Sequence, residues 1–278
     1  MSLSRNIAVL FPLSAKLALR RVSALPARVP YRLASLGLPP TRAHRHLQSL
    51  RDHHAGRRGF VVGSGPSLNR MDLACLQGEI TFVSNAFFLG LDTVGFRPTY
   101  LTVEDPLPAE DYADELNALT GITKIFAHDL RFCLEPGPET VFVFFDRYYL
   151  DWRHRSYPRF SPDALDRVYW GGTVAYMNLQ LAWYMGLREV YLIGIDLDYT
   201  LPDHAEGDVI VSREADVSHF HPDYFGPGKR WHDPRVDRMA RSFARAGEYF
   251  QTHGGALYNA TVGGRLESLP RVDFANLF

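Results

Sequence analysis

Short apolar runs that end on polar residues recur along the chain, separated by stretches of helical period. Phe60-Val61-Val62 breaks into Gly63-Ser64-Gly65-Pro66-Ser67-Leu68. That pattern predicts a first strand, a tight turn and the start of a helix, with Gly63 and Gly65 free to take positive φ and Pro66 at the first helical position. Residues 69–77 then read as a short helix with Met71, Leu73 and Leu76 inward. Strands are expected at 80–83, ending on Ser84-Asn85, at 99–103, ending on Glu104-Asp105, and as shorter runs at 124–127 and 141–145, with a helix over 111–119. Gly171-Gly172-Thr173 precedes a helix over 174–185, Gly186 stands where a C-cap belongs, and 190–195 is an unbroken apolar strand ending at Asp196. An amphipathic helix over 235–252, with Met239, Phe243, Ala246 and Phe250 on one face, leads to a last strand at 256–259. Unbroken apolar strands alternating with helices predict an α/β fold: a doubly wound, mostly parallel Rossmann-like sheet with helices on both faces.

The remaining stretches lack such a pattern. Residues 41–58 read as a polar helix leading into the domain. Residues 146–170, full of Tyr, Trp, Arg and Pro, read as a long, partly ordered excursion or lid, and 200–234 as a second loop region bearing the site. The division expected is a basic helical N-terminal arm over 1–46 and one catalytic domain over 47–278.

Composition changes the picture at the N-terminus only. The 278 residues are 46% hydrophobic and 22% charged, which bounds an ordinary globular domain. Cys75 and Cys133 have no CxxC spacing, which argues against a disulfide scaffold or zinc site and fits a reducing, cytoplasmic compartment. A net charge of −1 hides an asymmetry: residues 1–58 hold 11 Lys and Arg against a single acid, Asp52, while the rest is acidic overall. No apolar run nears the roughly 20 residues that span a bilayer. Residues 1–41 mix apolar and basic side chains with Pro12, Pro26, Pro30 and Pro39-Pro40. Three readings compete for them: an arm packed on the domain or on a second subunit of a homo-oligomer, a basic amphipathic segment lying peripherally on the inner face of an anionic membrane, and a transit peptide. The prolines are expected to interrupt any long helix there. Nothing points to a nucleic-acid partner.

In an open parallel sheet, ligands bind at the carboxyl ends of the strands. Those ends carry 63–67, Ser84-Asn85, Glu104-Asp105 and Asp196. Gly63-Ser64-Gly65-Pro66-Ser67 and Gly171-Gly172-Thr173 are two candidate anion turns, which suggests a ligand with a phosphate and a second polar end. The first lacks the third glycine of the dinucleotide fingerprint and the Lys-Ser/Thr of a P-loop. Acids at strand ends also cap turns, so Asp105 and Asp196 are each divided between structure and site. The densest polar patch is Ser218-His219-Phe220-His221-Pro222-Asp223-Tyr224-Phe225-Gly226, followed by Lys229-Arg230-Trp231-His232. A histidine there suits general-base work near neutral pH, with His219 and His221 the candidates. The same pair could bind metal from an extended strand, although a third ligand is not evident.

Taken together, Gly63-x-Gly65-Pro66-Ser67-Leu68, Asn85, Gly194-Ile195-Asp196 after the Gly-Gly helix, and Ser218-His219-Phe220 resemble two related groups. One is the bacterial sialyltransferases of the Campylobacter type, which use CMP-sialic acid without a metal. The other is the MptE-like, motility accessory factor-related family, named for an archaeal 6-hydroxymethylpterin diphosphokinase and including members that look like surface-polysaccharide glycosyltransferases. The second match is closer and runs from about Leu47 to Phe274, through the 219–226 patch, Tyr258-Asn259-Ala260-Thr261 and Gly263-Gly264.

The sialyltransferase resemblance implies that Gly63, Ser64, Gly65 and Asn85 hold the cytidine and ribose of the donor. It places Gly171 and Gly172 beside the nucleotide, Tyr199 on the phosphate, and His219 as the base. This chain carries Ser64 where those enzymes carry Asn, and one phosphate-directed tyrosine near Asp196 where they have two. The implied function is a CMP-sugar glycosyltransferase acting on a glycan or lipid-linked acceptor, with no obligatory cofactor. The alternative is a diphosphokinase using ATP, with Asp105 and Asp196 holding Mg²⁺. A third reading is a non-catalytic nucleotide- or glycan-binding accessory protein.

Overall fold

The computed structural model describes residues 13–201 and 208–278. A basic helix α1 (Leu13–Ser35) and a short helix α2 (Arg42–Ser49) precede β1 (Arg58–Val62), β2 (Ile80–Ser84) and β3 (Tyr100–Val103). Two short helices follow, α3 (Pro106–Asp111) and α4 (Ala113–Ala118), then β4 (Thr123–Ala127) and β5 (Thr140–Val143). Two-residue strands β6 (Phe145–Asp146) and β7 (Val168–Tyr169) pair with each other and frame a long strap. Helix α5 (Val174–Tyr184) leads to β8 (Glu189–Ile193), a hairpin of β9 (Val209–Val211) and β10 (Arg230–His232), helix α6 (Val236–Thr252) and β11 (Ala256–Asn259).

Seven strands form one parallel sheet in the order β11-β8-β1-β2-β3-β4-β5, with Phe60 of β1 level with Tyr191 of β8 and Thr81 of β2. The chain winds outward from β1 to β5, then crosses back to place β8 on the other side of β1. The sheet order therefore reverses between β1 and β8, and a crevice opens beyond their carboxyl ends. This is the Rossmann-like α/β architecture that the alternating pattern predicts. The sheet strands are buried along nearly their whole length, as in a sheet covered on both faces. Helix α5 shows no polar face because every residue from Ala175 to Tyr184 is buried. A closed ring of hydrogen bonds fixes it to the sheet: Thr102 donates to Asn178 Oδ1 (2.7 Å), Asn178 Nδ2 to Ser84 Oγ (2.9 Å), and the Ser84 and Thr102 hydroxyls share a third bond (3.0 Å).

Several expected elements differ. Residues 69–77 are not an α-helix but parts of two 3₁₀ turns, Pro66–Arg70 and Leu73–Leu76, each too short for a helix dipole. The helix expected over 41–58 stops at Ser49, and Asp52 takes φ +53 in the turn that docks on the end of α5. The strand after α5 ends at Ile193, because Gly194 takes φ +65. The prolines do not break the arm: α1 runs through Pro26 and Pro30. The carbonyls left without a donor are those of Val22 and Pro26, both exposed residues that water can reach. The N-terminal apolar run (7–12), Arg5 and residues 202–207 of the second loop region lie outside the described residues.

The 146–170 excursion is packed rather than loose. Tyr149, Tyr157, Phe160 and Leu165 are buried. Gln180 of α5 accepts from the Ser161 and Tyr169 amides (both 3.0 Å), and Arg241 of α6 donates to the carbonyls of Trp152, His154 and Tyr157. The arm lies against this strap, where Arg28 makes a forked bond to Asp166 (3.0 Å to each oxygen) and Ser35 donates to Asp163 (2.6 Å).

His54, buried and bonded to the hydroxyl of Tyr100 at the start of β3 (2.7 Å), is pushed down to about 4 by burial. An unfolded histidine takes up its proton near pH 6.5, whereas this one stays neutral until about pH 4. The stability that it contributes is therefore present above pH 6.5 and is lost as pH falls from 6.5 toward 4. Denaturation curves across this range should lose stability by as much as about 1.4 kcal/mol per pH unit from this one group, and His54→Gln should flatten that slope.

Candidate functional site

The crevice between β1 and β8 opens into a solvent-facing cleft. Its walls come from Gly63-Ser64-Gly65 after β1, Ser84-Asn85 after β2, Glu104-Asp105 after β3, and the Gly172–Ala175 start of α5. Gly194–Tyr199 after β8, Ser218-His219, Tyr224-Phe225 and Trp231–Pro234 complete them. Of the residues singled out from sequence, Gly63, Ser64, Gly65, Asn85, Gly172, Thr173, Asp105, Asp196, Tyr199 and His219 meet there. Pro66, Ser67, Gly171 and His221 lie outside the lining.

The glycines of the first turn are required for a different reason from the one expected. Neither takes positive φ; Gly65 is extended at φ −67. A methyl group at Gly63 would overlap the Gly194 carbonyl, and one at Gly65 the Asp196 carboxylate. The two segments leaving β1 and β8 thus pass with no room for a Cβ, tied by Gly65 N–H to Gly194 O (2.9 Å). Ser67 donates to Asp196 Oδ2 (2.7 Å) and closes the turn from below. Pro66 begins a 3₁₀ turn of five residues, so no helix dipole is aimed at the cleft, and the Gly63 and Gly65 amides are both bonded to the β8 segment.

The second turn divides its labour. A methyl group at Gly171 would run into Tyr176, and its carbonyl accepts from Ser242, so it serves the contact with α6. Gly172, at φ +83, and Thr173, which caps α5 by accepting from Ala175 N–H (3.4 Å), face the cleft. Asn85 is held in the left-handed region at φ +52, and its Oδ1 is buried without a partner among the described residues. An acceptor left bare on a cleft wall is suited to a donor group on a ligand.

The histidines separate. His219 Nδ1 lies 2.7 Å from Asp216 Oδ2, with both side chains 6% exposed. Burial raises the Asp216 carboxyl, but bonds from His219 and from the Ser218 (2.8 Å) and Phe225 (3.0 Å) amides outweigh it and hold the group below its ordinary value. An ionised Asp216 can only accept, so His219 Nδ1 carries the hydrogen, and in the neutral imidazole the lone pair is on Nε2. Tyr224 stacks flat on the imidazole (4.3 Å, 6°), and Tyr199 and Phe225 meet it edge-on. His221 instead accepts the Asp223 amide (3.2 Å) and shapes the turn.

The histidine loop is anchored to the glycine turn. Phe220 N–H donates to the Ser64 carbonyl (2.8 Å), Asn69 Nδ2 to the Phe220 carbonyl (3.0 Å), and the Phe220 ring sits over Gly90, where a side chain would collide.

Sequence reasoning did not single out Asp216, Tyr224 or the pairing of His232. Asp216 stands three residues before His219, and that spacing was the available signal. The Tyr224 hydroxyl reaches the Ser84 carbonyl (3.3 Å) and faces Ser64 and Asn85, giving the cleft a second tyrosine beside Tyr199. Burial pushes Tyr199 up to about 12, so it remains a neutral hydrogen-bond donor. His232 on β10 pairs with Asp105 Oδ2 (2.8 Å), a bond that raises the imidazole. Asp105 Oδ1 caps α3 through Leu107 N–H (2.9 Å). Both Asp105 oxygens and one of Asp196 are thereby engaged, and among the described residues no three His, Cys, Asp or Glu side chains are grouped to hold a metal. As they stand, these side chains do not fit a protein-built metal centre. Beside them the buried Glu104 is held by Arg147 (2.7 Å), which also binds Asp129 (2.7 Å).

A parallel sheet with a cleft at its reversal point, walled by two glycine turns, defines a Rossmann-like α/β protein. A family model described as 6-hydroxymethylpterin diphosphokinase MptE-like matches residues 38–201, more than half of the sequence, and the chain belongs to that family. No curated protein matches the sequence. Among solved structures, the MAf glycosyltransferase of Magnetospirillum magneticum AMB-1 is similar at 19% identity and a TM-score of 0.47, over 82% of this chain and 37% of that one. The chain thus spans little more than a third of that protein's length. The sialyltransferase CstII of Campylobacter jejuni, in complex with cytidine-5'-monophosphate, is similar at 15% identity and a TM-score of 0.44, over 78% of this chain and 85% of that one. A mammalian sialyltransferase has 12% identity and a TM-score of 0.36, over 86% of each chain.

The fit between the two turns is testable without a substrate. Gly65→Ala places a methyl group on the Asp196 carboxylate and should lower unfolding free energy by about 1–3 kcal/mol in denaturant titration. An unchanged midpoint would show that the turn is looser than this geometry.

Proposed function

We propose that the protein is a nucleotide-dependent transferase that moves a sugar from a CMP-activated donor to a hydroxyl of a glycan or lipid-linked acceptor. The observation that carries this reading is the His219–Asp216 pair, whose imidazole opens onto the same cleft as both glycine turns. A base held in one tautomer, beside a site suited to a nucleotide, supports transfer to a hydroxyl better than simple binding does.

In the proposed reaction, the donor nucleotide lies over Gly63-Ser64-Gly65 and against Asn85, whose bare Oδ1 accepts from it. His219 Nε2 takes the proton of the acceptor hydroxyl as that oxygen bonds to the anomeric carbon. The bond from this carbon to the phosphate oxygen breaks, and CMP leaves with the electron pair. Inversion follows from attack on the face opposite the leaving group. Asp216 stabilises the imidazolium that forms. The Tyr199 hydroxyl and the amides at the start of α5 face the charge that develops on the phosphate. The division into an N-terminal arm and a single catalytic domain from residue 47 belongs to the same proposal, because every residue used lies beyond the arm.

The family description favours a second reading, pyrophosphoryl transfer from ATP to a hydroxymethylpterin in the same cleft. A magnesium ion would there accompany the nucleotide phosphates, with Asp105 and Asp196 among the carboxylates that line the cleft.

A thermal-shift panel of CMP, CDP, ATP, GMP and UDP, each with and without Mg²⁺, separates these readings. Stabilisation by CMP that is indifferent to Mg²⁺ is the expected result; a response to ATP that requires Mg²⁺ would put the diphosphokinase reading in its place. Given a donor that turns over, His219→Ala should lower kcat by about 10²–10⁴, with Asp216→Asn intermediate and CMP binding retained. A near-normal rate for His219→Ala would remove it from the mechanism, and nucleotide binding without turnover on any donor would favour an accessory protein.

A further inference from the structure

Helix α1 is oriented against the usual rule for a surface helix. Ala24, Ala27, Tyr31 and Ala34 face the domain, with Tyr31 and Ala34 buried. Leu19, Val22, Leu25, Val29, Leu33 and Leu36 are between 39% and 66% exposed. Their spacings of three and four residues place them in one stripe along the side opposite the alanines. A helix that packs its small residues inward and its leucines outward is not completed by its own domain. Leu36 and Leu38, the latter 66% exposed, carry the stripe past the helix end at Ser35.

The charge around the stripe says what covers it. The chain has no acidic residue before Asp52. Arg20 reaches back over the Tyr148 ring and Arg28 is committed to Asp166, while Arg32, at the stripe's edge, is 55% exposed and only 3.8 Å from Asp166. Two copies meeting through this face would set one cationic helix on another, which like-charge repulsion opposes. An apolar stripe edged by arginine and free of acids is instead complementary to an anionic lipid surface, into which the leucines insert while arginine stays at the headgroups. We infer that α1 is an in-plane membrane-docking helix, seating the protein on an anionic bilayer through Leu19, Val22, Leu25, Val29, Leu33 and Leu36. No helix among the described residues is long and apolar enough to cross a membrane, so the contact is peripheral.

The docking helix is tied to the cleft by structure as well as by sequence. Asp166 and Asp163, which receive Arg28 and Ser35, belong to the strap whose far end leads into Gly171-Gly172. The docking helix is thus bonded to the segment that leads into one wall of the cleft.

The test is co-sedimentation of the full-length protein with vesicles of phosphatidylcholine alone and of phosphatidylcholine mixed with phosphatidylglycerol, at low and high salt, together with its mass in solution. Binding to the anionic vesicles that weakens with salt, and that falls at least about tenfold in Val22→Gln/Leu25→Gln/Val29→Gln, is expected. All three side chains are exposed, so the thermal midpoint of this variant should match the parent. Failure to bind anionic vesicles would overturn the inference. So would a dimer that the triple substitution converts to a monomer, because a second copy would then own the stripe. Neither outcome bears on the nucleotide panel, so the membrane inference and the transferase reading fail separately.

Discussion

The segments leaving β1 and β8 pass so closely that neither Gly63 nor Gly65 has space for a side chain, and the rest of the site is built outward from that contact. Ser67 and Asp196 lock it from the protein side. The Gly65 amide and the Gly194 carbonyl lock it through the backbone. Because the sheet order reverses at the same place, the contact also forms the floor of the crevice. A side chain added at Gly63 or Gly65 would disturb packing and the space of the cleft at once. Asp196 illustrates the overlap: it lines the cleft, yet its observed work is to hold the turn.

Above this floor, the histidine loop has little regular structure and gains its order from tertiary contacts. Phe220 is fastened by its amide, its carbonyl and its ring. Asp216 then gathers two backbone amides and one imidazole, which offsets the cost of burying its charge. The result is an imidazole whose Nδ1 is held by its partner and whose plane is set by Tyr224. Aromatic residues thus do in a loop what a helix or strand does elsewhere.

Much of the fold was legible because buried parallel strands announce themselves as apolar runs. The clustering of strand-end residues and the placement of His219 in the cleft followed from those runs and from the family resemblance, whereas the point where the sheet order reverses came from the structure. Where backbone detail mattered, the reading went astray for physical reasons. Glycine has two uses, positive φ and the absence of a side chain, and sequence alone does not distinguish them at Gly63 and Gly65. The prolines of α1 suggested breaks, but carbonyls on a wet face tolerate a missing donor. Asp216 was overlooked because its function depends on a loop folding back on itself, and His221, equally prominent in sequence, faces away for the same reason. The 146–170 strap lacked any period because its order comes from Gln180 and Arg241, which lie on two other elements.

The single peptide at Ser64 links two tasks that enzymes often keep apart. Ser64 lines the cleft, while its carbonyl holds the amide of Phe220, the residue next to His219. On the proposed reading, donor choice and base alignment are inherited together. A turn redesigned for another nucleotide would also tilt the imidazole, and a loop redesigned for another acceptor would pull on the donor turn. New specificity in this scaffold would then arise more readily at walls that do not share the peptide, such as the β9–β10 hairpin with His232. Diversification of the cleft is expected to spread inward from that rim, leaving the floor for last.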